Sequence, residues 1–273
     1  NAWGLYDMHG NVQEWCLDRY GDYPGVPVVD PTGSATGSDR VLRGGSWNCD
    51  AYFCRSACRN YNYPDYRYND FGFRVALVPE LPHASLTVPI SDTVTMVLME
   101  CPVGTFTMGS PTNERGRDDD EEQHQVTLTR PFWMGKYEVT QAQYKALMGE
   151  NPSYFRGDNL PVEQVTWNEA VDFCAKLTEK EKSAGRLPTG YKYSLPTEAQ
   201  WEYACRAGTT TAFNNGKNIP IEEQVEDAAC PNLGEVGWYE YNSDEKTHPV
   251  GSKKVNAWGL CDMHGNVAEW CLD

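Results

Sequence analysis

NAWGLYDMHGNVQEWCLD spans residues 1–18, and NAWGLCDMHGNVAEWCLD spans residues 256–273. The copies differ only at Tyr6/Cys261 and Gln13/Ala268. Their offset is 255 residues, far beyond the roughly 20–50-residue periods of solenoids and propellers. It matches the length of a whole domain. The spacing therefore implies a tandem array in which one motif is met twice. Residues 1–78 read as the C-terminal part of one copy, 79–93 as a linker, and 94–273 as the N-terminal part of the next. The two parts could instead assemble as one circularly permuted domain. One copy of the motif would then fill the native slot, and the other would be displaced or swap into a neighbour, giving a domain-swapped oligomer.

The boundary is supported by composition. VPELPHASLTVPISD (78–92) carries three prolines and no periodicity, the pattern of a linker. Residues 1–78 hold nine acids and seven arginines and no lysine, so the charge balance changes across it. The whole chain carries 39 acidic and 23 basic residues, a net charge of −16. That balance argues against a nucleic-acid partner, which needs a basic footprint. No apolar run is long enough for a membrane span. Hydrophobic residues make up 40% of the chain, enough to close a core.

Three helix starts carry reciprocal caps, a Thr followed three residues on by Glu or Gln: Thr140/Gln143, Thr166/Glu169 and Thr197/Gln200. Ala170, Cys174 and Leu177 form an apolar stripe on the second helix. Strands are expected at Val94–Met99, Thr105–Met108, Val126–Thr129, Arg40–Arg43 and Phe73–Leu77. The remainder is loop rich in Gly, Asn, Asp, Pro and aromatics. The pattern predicts an α+β fold with a small twisted antiparallel sheet, two or three helices and much irregular structure. Ten cysteines without a CxxC pattern argue against structural zinc. Cys174 and Cys205 read as buried core residues. The acidic run Asp118–Glu122 reads as a solvated loop, and His9 and His264 as positional residues inside a turn.

Several motifs occur in order: FTMGS (106–110), GKYEVTQAQY (135–144), PVEQVTW (161–167), LPTEAQWEYACRAG (195–208) and THPVGSKKVNAWGLCDMHGNVAEW (247–270). The other part carries RVLRGGSW (40–47), CRSACR (54–59) and GFR (72–74). Together they resemble the formylglycine-generating enzyme, or sulfatase-modifying factor, family. The resemblance implies a variant of the C-type lectin fold over nearly the whole chain outside the linker.

Enzymes of that family oxidise a substrate cysteine with copper and oxygen, using two cysteines after a GGS motif. The resemblance assigns those roles to Cys49 and Cys54, with Ser46 beside them. Paired thiolates suit Cu(I), and Arg43 and Arg55 are expected to favour thiolate. The pattern departs from the enzymes at Asp50, where they carry His, and at Gln13 and Ala268, where they carry Trp. Cys58 adds a third thiol, and the stretch from Cys54 to Arg59 is shorter than theirs. The resemblance also implies a calcium site in DMHGNVxE, with Asp7, Gly10, Val12 and Glu14 as ligands. Asp262, Gly265, Val267 and Glu269 repeat that set in the second copy, and Asn232 and Leu233 suggest another site. Oxygen donors of this kind suit a hard cation.

Residues 48–71 read NCDAYFCRSACRNYNYPDYRYNDF. Tyr52, Tyr61, Tyr63, Tyr66 and Tyr68 alternate with Asn and Asp, while Lys, Glu, Gln, Met and Trp are absent. Tyrosine offers contact area at low entropic cost, and small polar residues offer adaptable hydrogen bonds. Outside Arg, Ser, Ala and Pro, every residue type here is reachable from an AAC codon by changing adenines alone. The window therefore resembles the variable region of proteins diversified by a retroelement that mutagenises adenines. The expected function is a non-catalytic module in an extracytoplasmic or cell-surface setting. It would bind protein or glycan through Asn48, Asp50, Tyr52, Phe53, Tyr61, Tyr63, Tyr66, Tyr68, Asn69 and Asp70. The alternative is a copper-dependent oxidase acting on a cysteine-containing sulfatase peptide.

Overall fold

A five-stranded sheet links the two parts of the chain. Its order is Tyr191–Ser194, Ala76–Pro79, Phe132–Gly135, Thr95–Cys101 and Thr87–Pro89. The computed structural model describes Leu5 and residues 8–29, 31–79, 87–220 and 229–273. Val28–Val29 pairs with His124–Leu128, which pairs in turn with Gly104–Met108. Strands from both sides of the expected linker thus share two sheets. Residues along Thr95–Cys101 alternate in burial, the period-two pattern of a strand with one face on the core. Among the described residues, no helix is long and apolar enough to cross a membrane.

The remaining sheet holds Phe71–Phe73, Arg40–Arg43 and Asn60–Asn62, with a central position between the first two of these. Gly10–Arg19 and Gly265–Leu272 both take that central position. They match residue for residue, from Gly10 with Gly265 to Leu17 with Leu272. Each copy of the motif thus supplies the same strand of this sheet in the same register. The strand is buried on both faces, as a central strand should be.

All three reciprocal caps form. Helix α1 (Gln141–Met148) starts at Thr140 and ends at Gly149 in the left-handed region. Helix α2 (Trp167–Ser183) starts at Thr166 and buries Ala170, Phe173, Cys174 and Leu177. Helix α3 (Glu198–Arg206) starts at Thr197 and is buried except at Gln200. A short fourth helix covers Pro231–Gly234.

Three expectations need correction. Phe73–Leu77 is two strands, because the chain changes sheets at Arg74 and Val75. Val75 accepts a backbone bond from Gly135, while Phe73 accepts one from Val139. The expected linker contains a strand, Thr87–Pro89, which folds back on Thr95–Cys101 and buries Val88. The turn between them is held by Ile90 and Ser91 donating to the Val94 carbonyl. The acidic run is only partly solvated. Glu121 is fully buried against Arg55, and Asp120 meets Tyr20 and lies near Arg59. Its sequence gave no sign of this, since the arginines lie some sixty residues away.

Buried arginines tie the two parts together. Arg55 donates to both oxygens of Glu121 and to Glu114. Arg59 pairs with Glu198, and Arg43 with Glu202. Removing Arg55 would strand the Glu121 carboxylate away from water. We expect Arg55→Met to cost about 3–5 kcal/mol, read as a lower midpoint in urea with the unfolding transition still single.

Candidate functional site

The turn Gly44-Gly45-Ser46 gathers the cysteines singled out in the sequence. Gly45 has φ of 68°, and a β-carbon there would lie 2.6 Å from Cys54 Sγ, so glycine is required. Ser46 Oγ lies 3.0 Å from Cys49 Sγ and donates to Asp70 Oδ2 at 3.0 Å. It also reaches Asn48 Oδ1 at 2.5 Å. Cys49 is half-buried, whereas Cys54 and Cys58 are buried. Gln13 Nε2 approaches Cys49 Sγ at 3.6 Å, and its Oε1 accepts from Asn60 at 2.8 Å. Ser46, Cys49, Asp70, Asn48 and Asn60 thus form one polar cluster.

Burial sets its electrostatics. It pushes the Cys49 thiol up to about 12, with Asp70 adding to the rise, and it raises Cys54 too. Arg43 and Arg55 do not counter this, contrary to expectation. Arg43 is spent on Glu202 and the carbonyls of Ser56, Ala57 and Cys58, and Arg55 on Glu114 and Glu121. Both thiols are therefore held neutral unless a metal displaces their protons. Asp70 is pushed up to about 6 and Glu163 to about 7, each by burial. Copper fits the donor chemistry of Cys49 and Cys54, two soft ligands on either side of Asp50.

A cleft of about 690 Å³ opens beside the cluster, lined by Trp47, Asn48, Asn69, Tyr154, Glu240 and Tyr241 among others. Trp47 donates its indole N–H to the Asn69 carbonyl and packs edge-on against Phe155. Asp50 is half-buried at the start of the short turn Ala51–Cys54, and Phe53 is exposed. Tyr61, Tyr63, Tyr66 and Tyr68 are 45–52% exposed. Tyr63, Tyr66 and Tyr68 stack edge-on in succession, and Tyr68 packs on Phe71. Tyr52 differs from the other tyrosines. It is half-buried, and its ring packs over Gly116.

Glu14 and Glu269, expected as calcium ligands, are buried. Arg74 Nε donates to the Glu14 carboxylate at 2.5 and 2.6 Å and to Glu269 at 2.7 Å. Trp201 Nε1 donates to the same carboxylates. Asp262 Oδ2 accepts from Gly251, while its buried Oδ1 has no hydrogen-bond partner. An oxygen of that kind suits a hard cation. Gly10 donates its N–H to Gly44, and Val12 donates to Glu138. Gly265 and Val267 hold the equivalent places in the second copy. Asp7 lies outside the described residues. Asn232 bonds Asn215 and Asn218, and the Leu233 carbonyl accepts from Val236 and Gly237.

His9 and His264 hold equivalent places in the repeated motif, and both are buried. Either ring reaches the Cys54 carbonyl and lies beside Cys205. Glu163 and Tyr154 went unnoticed in the sequence. Glu163 sits within PVEQVTW, but only packing makes it a buried carboxyl.

A GGS turn with paired cysteines, a capped helix α3 and an irregular shell define a domain of the formylglycine-generating enzyme type. The chain belongs to the sulfatase-modifying factor enzyme 1-like domain family, whose sequence model matches residues 1–78 and 87–273. It is 36% identical to the chaperone protein LppX of Paenibacillus barcinonensis over 54% of this chain and 64% of that protein. It is 43% identical to the formylglycine-generating enzyme of Streptomyces coelicolor over 31% of this chain and 29% of that enzyme. Identity to the mouse formylglycine-generating enzyme is 31%, over 55% and 36% of the two chains. The matches thus span less than two thirds of each of these relatives. Among solved structures, PvdO from Pseudomonas aeruginosa is similar with a TM-score of 0.51 and 28% identity, covering 67% of this chain and 72% of that one.

The raised carboxyls make a pH prediction. Glu163 keeps its proton to about 7 when folded, against 4.5 in the ordinary state. As pH rises through that window the unfolded chain ionises first, so stability falls. Asp70 acts in the same direction from 3.8 to about 6. Urea midpoints should decline from pH 5 to pH 7, and Glu163→Gln should make the decline shallower.

Proposed function

We propose that the chain acts as a ligand-binding module through the Tyr/Asn-rich segment 48–71, taking a protein or glycan ligand. The observation that carries this reading is the row of four tyrosines, each about half exposed and three of them stacked on one another. Stacked rings lose little freedom on binding and offer large apolar faces with polar tips. Asn60 and Asn62 side chains accept from the N–H groups of Tyr61 and Tyr63, which pins the backbone beneath the rings. The adjoining cleft continues the surface through Asn48 and Asn69. The family's relatives include both a protein named as a chaperone and enzymes, so membership is compatible with either class.

A copper-dependent oxidase is the second reading, favoured by the placement of Cys49 and Cys54 beside Gly45 and Ser46. Cys49 and Cys54 would hold the copper, which would supply the means of activating oxygen. Ser46 would hold a proton next to Cys49 Sγ, and the aromatic cleft would seat a cysteine-containing sulfatase peptide. In the binding module, Cys49→Ser should leave the fold and ligand affinity near normal. In the oxidase it should abolish turnover. Mass analysis of such a peptide, incubated with Cu(I), reductant and oxygen, separates the two. Aldehyde formation that disappears in Cys49→Ser would overturn the binding reading.

The binding surface makes its own prediction. A Tyr63→Ala/Tyr66→Ala/Tyr68→Ala variant should melt near the parent temperature, because these rings are exposed. Ligands drawn from glycan and peptide arrays by the parent should bind it at least about tenfold more weakly. Undiminished binding would place the ligand surface elsewhere.

A further inference from the structure

The cleft beside the GGS turn combines rings with acids. Among the described residues that line it, the charged ones are Glu240 and Glu245, and none is basic. Trp47, Phe155 and Tyr154 stand in succession. Trp47 meets Phe155 edge-on at 5.6 Å, and Phe155 meets Tyr154 edge-on at 5.0 Å. Glu240, Tyr241 and Glu245 come from a second segment. Two bonds hold that segment to the turn. Ser243 Oγ donates to the Trp47 carbonyl at 2.7 Å, and the Glu240 N–H donates to the Cys49 carbonyl at 3.3 Å. Glu163 is fully buried behind Phe155. Its Oε1 accepts from the Phe155 N–H at 2.8 Å, while its Oε2 has no hydrogen-bond partner. A third carboxyl thus backs the cleft, with an acceptor that no protein group fills.

Rings and acids favour the same kind of guest. An aromatic face is the negative side of the ring quadrupole and attracts cations. Carboxylates in a walled cleft add a field of the same sign. The neighbouring segment does not offset it. Asp50 is half-buried and Asp65 exposed, whereas Arg55, Arg59 and Arg67 are paired with Glu121, Glu198 and Glu169. A neutral glycan would use the rings and leave the carboxylates unanswered. An acidic ligand would be repelled. A cation on an apolar stem uses both, with the stem along the rings and the head at the carboxylates.

We propose that the cleft takes a cationic side chain, lysine or arginine, of a basic protein ligand whose adjacent apolar residues pack on the tyrosine row. This rests on the binding reading above and narrows its ligand from protein or glycan to basic protein. Glu240 and Glu245 lie outside segment 48–71. The charge preference therefore does not depend on which rings that segment carries.

Nonapeptides of Gly, Ser and Phe with one varied central residue test this, by surface plasmon resonance on the immobilised full chain. Lysine or arginine at the centre should bind at least about fivefold more tightly than norleucine, with glutamate weakest. The lysine and arginine arms identify the preferred cation. Glu240→Gln/Glu245→Gln should reduce both to the norleucine level. Asp119→Asn/Glu179→Gln removes the same charge from exposed sites outside the cleft and should leave binding unchanged. Both variants should melt near the parent temperature, because all of these carboxylates are exposed. An equal loss in the two variants would show a response to net charge alone and overturn the proposal. Peptides that bind alike, and lose affinity in the tyrosine triple variant, would overturn it while the binding reading stands. Binding of no peptide would also overturn it, and the array ligands alone would then decide the binding reading.

Discussion

The central strand supplied by the repeated motif is the constraint on which the rest of the structure depends. The strand lies between Phe71–Phe73 and Arg40–Arg43, so it joins the Tyr/Asn-rich loop to the GGS turn. Its tryptophan fills the main core beside Leu42, Phe71 and Phe73. Its glutamate meets Arg74 and Trp201, which couples the sheet to helix α3. Without it, the core would lose a buried tryptophan and Arg74 its counter-charge.

Ion pairs in the interior do the work that a larger apolar core would otherwise do. Arg43, Arg55, Arg59 and Arg74 all come from residues 1–78, and all are buried. Glu202, Glu121 and Glu198, the partners of Arg43, Arg55 and Arg59, all come from beyond residue 93. This gives a physical reason for a segment with seven arginines and no lysine. A planar guanidinium satisfies a buried carboxylate and several carbonyls at once, as Arg43 does, whereas an ammonium is costlier to desolvate. The compositional shift that marks a sequence boundary is therefore one side of an interface.

Local chemistry was legible wherever it was sufficient. The three Thr caps lie within four residues of their partners, and each helix begins where its cap stands. The cysteine pair after GGS was legible as well, because motif spacing carries it. What surrounds that pair was not. Arg43 and Arg55 are near Cys49 in sequence but point to distant acids, and Tyr52 turns inward while its neighbours face out. The sequence marked Glu14 and Glu269 as oxygen donors but not their pairing with Arg74.

By itself, the sequence determined the family, the helix starts, the cysteine spacing and the existence of two copies of one motif. These rest on short-range pattern, where backbone geometry limits each residue's reach. Only the tertiary structure decided which charges are buried and which tyrosines face solvent. Those outcomes depend on side chains brought together across some sixty residues or more. Proximity in space, rather than in the chain, sets their electrostatics and their volume.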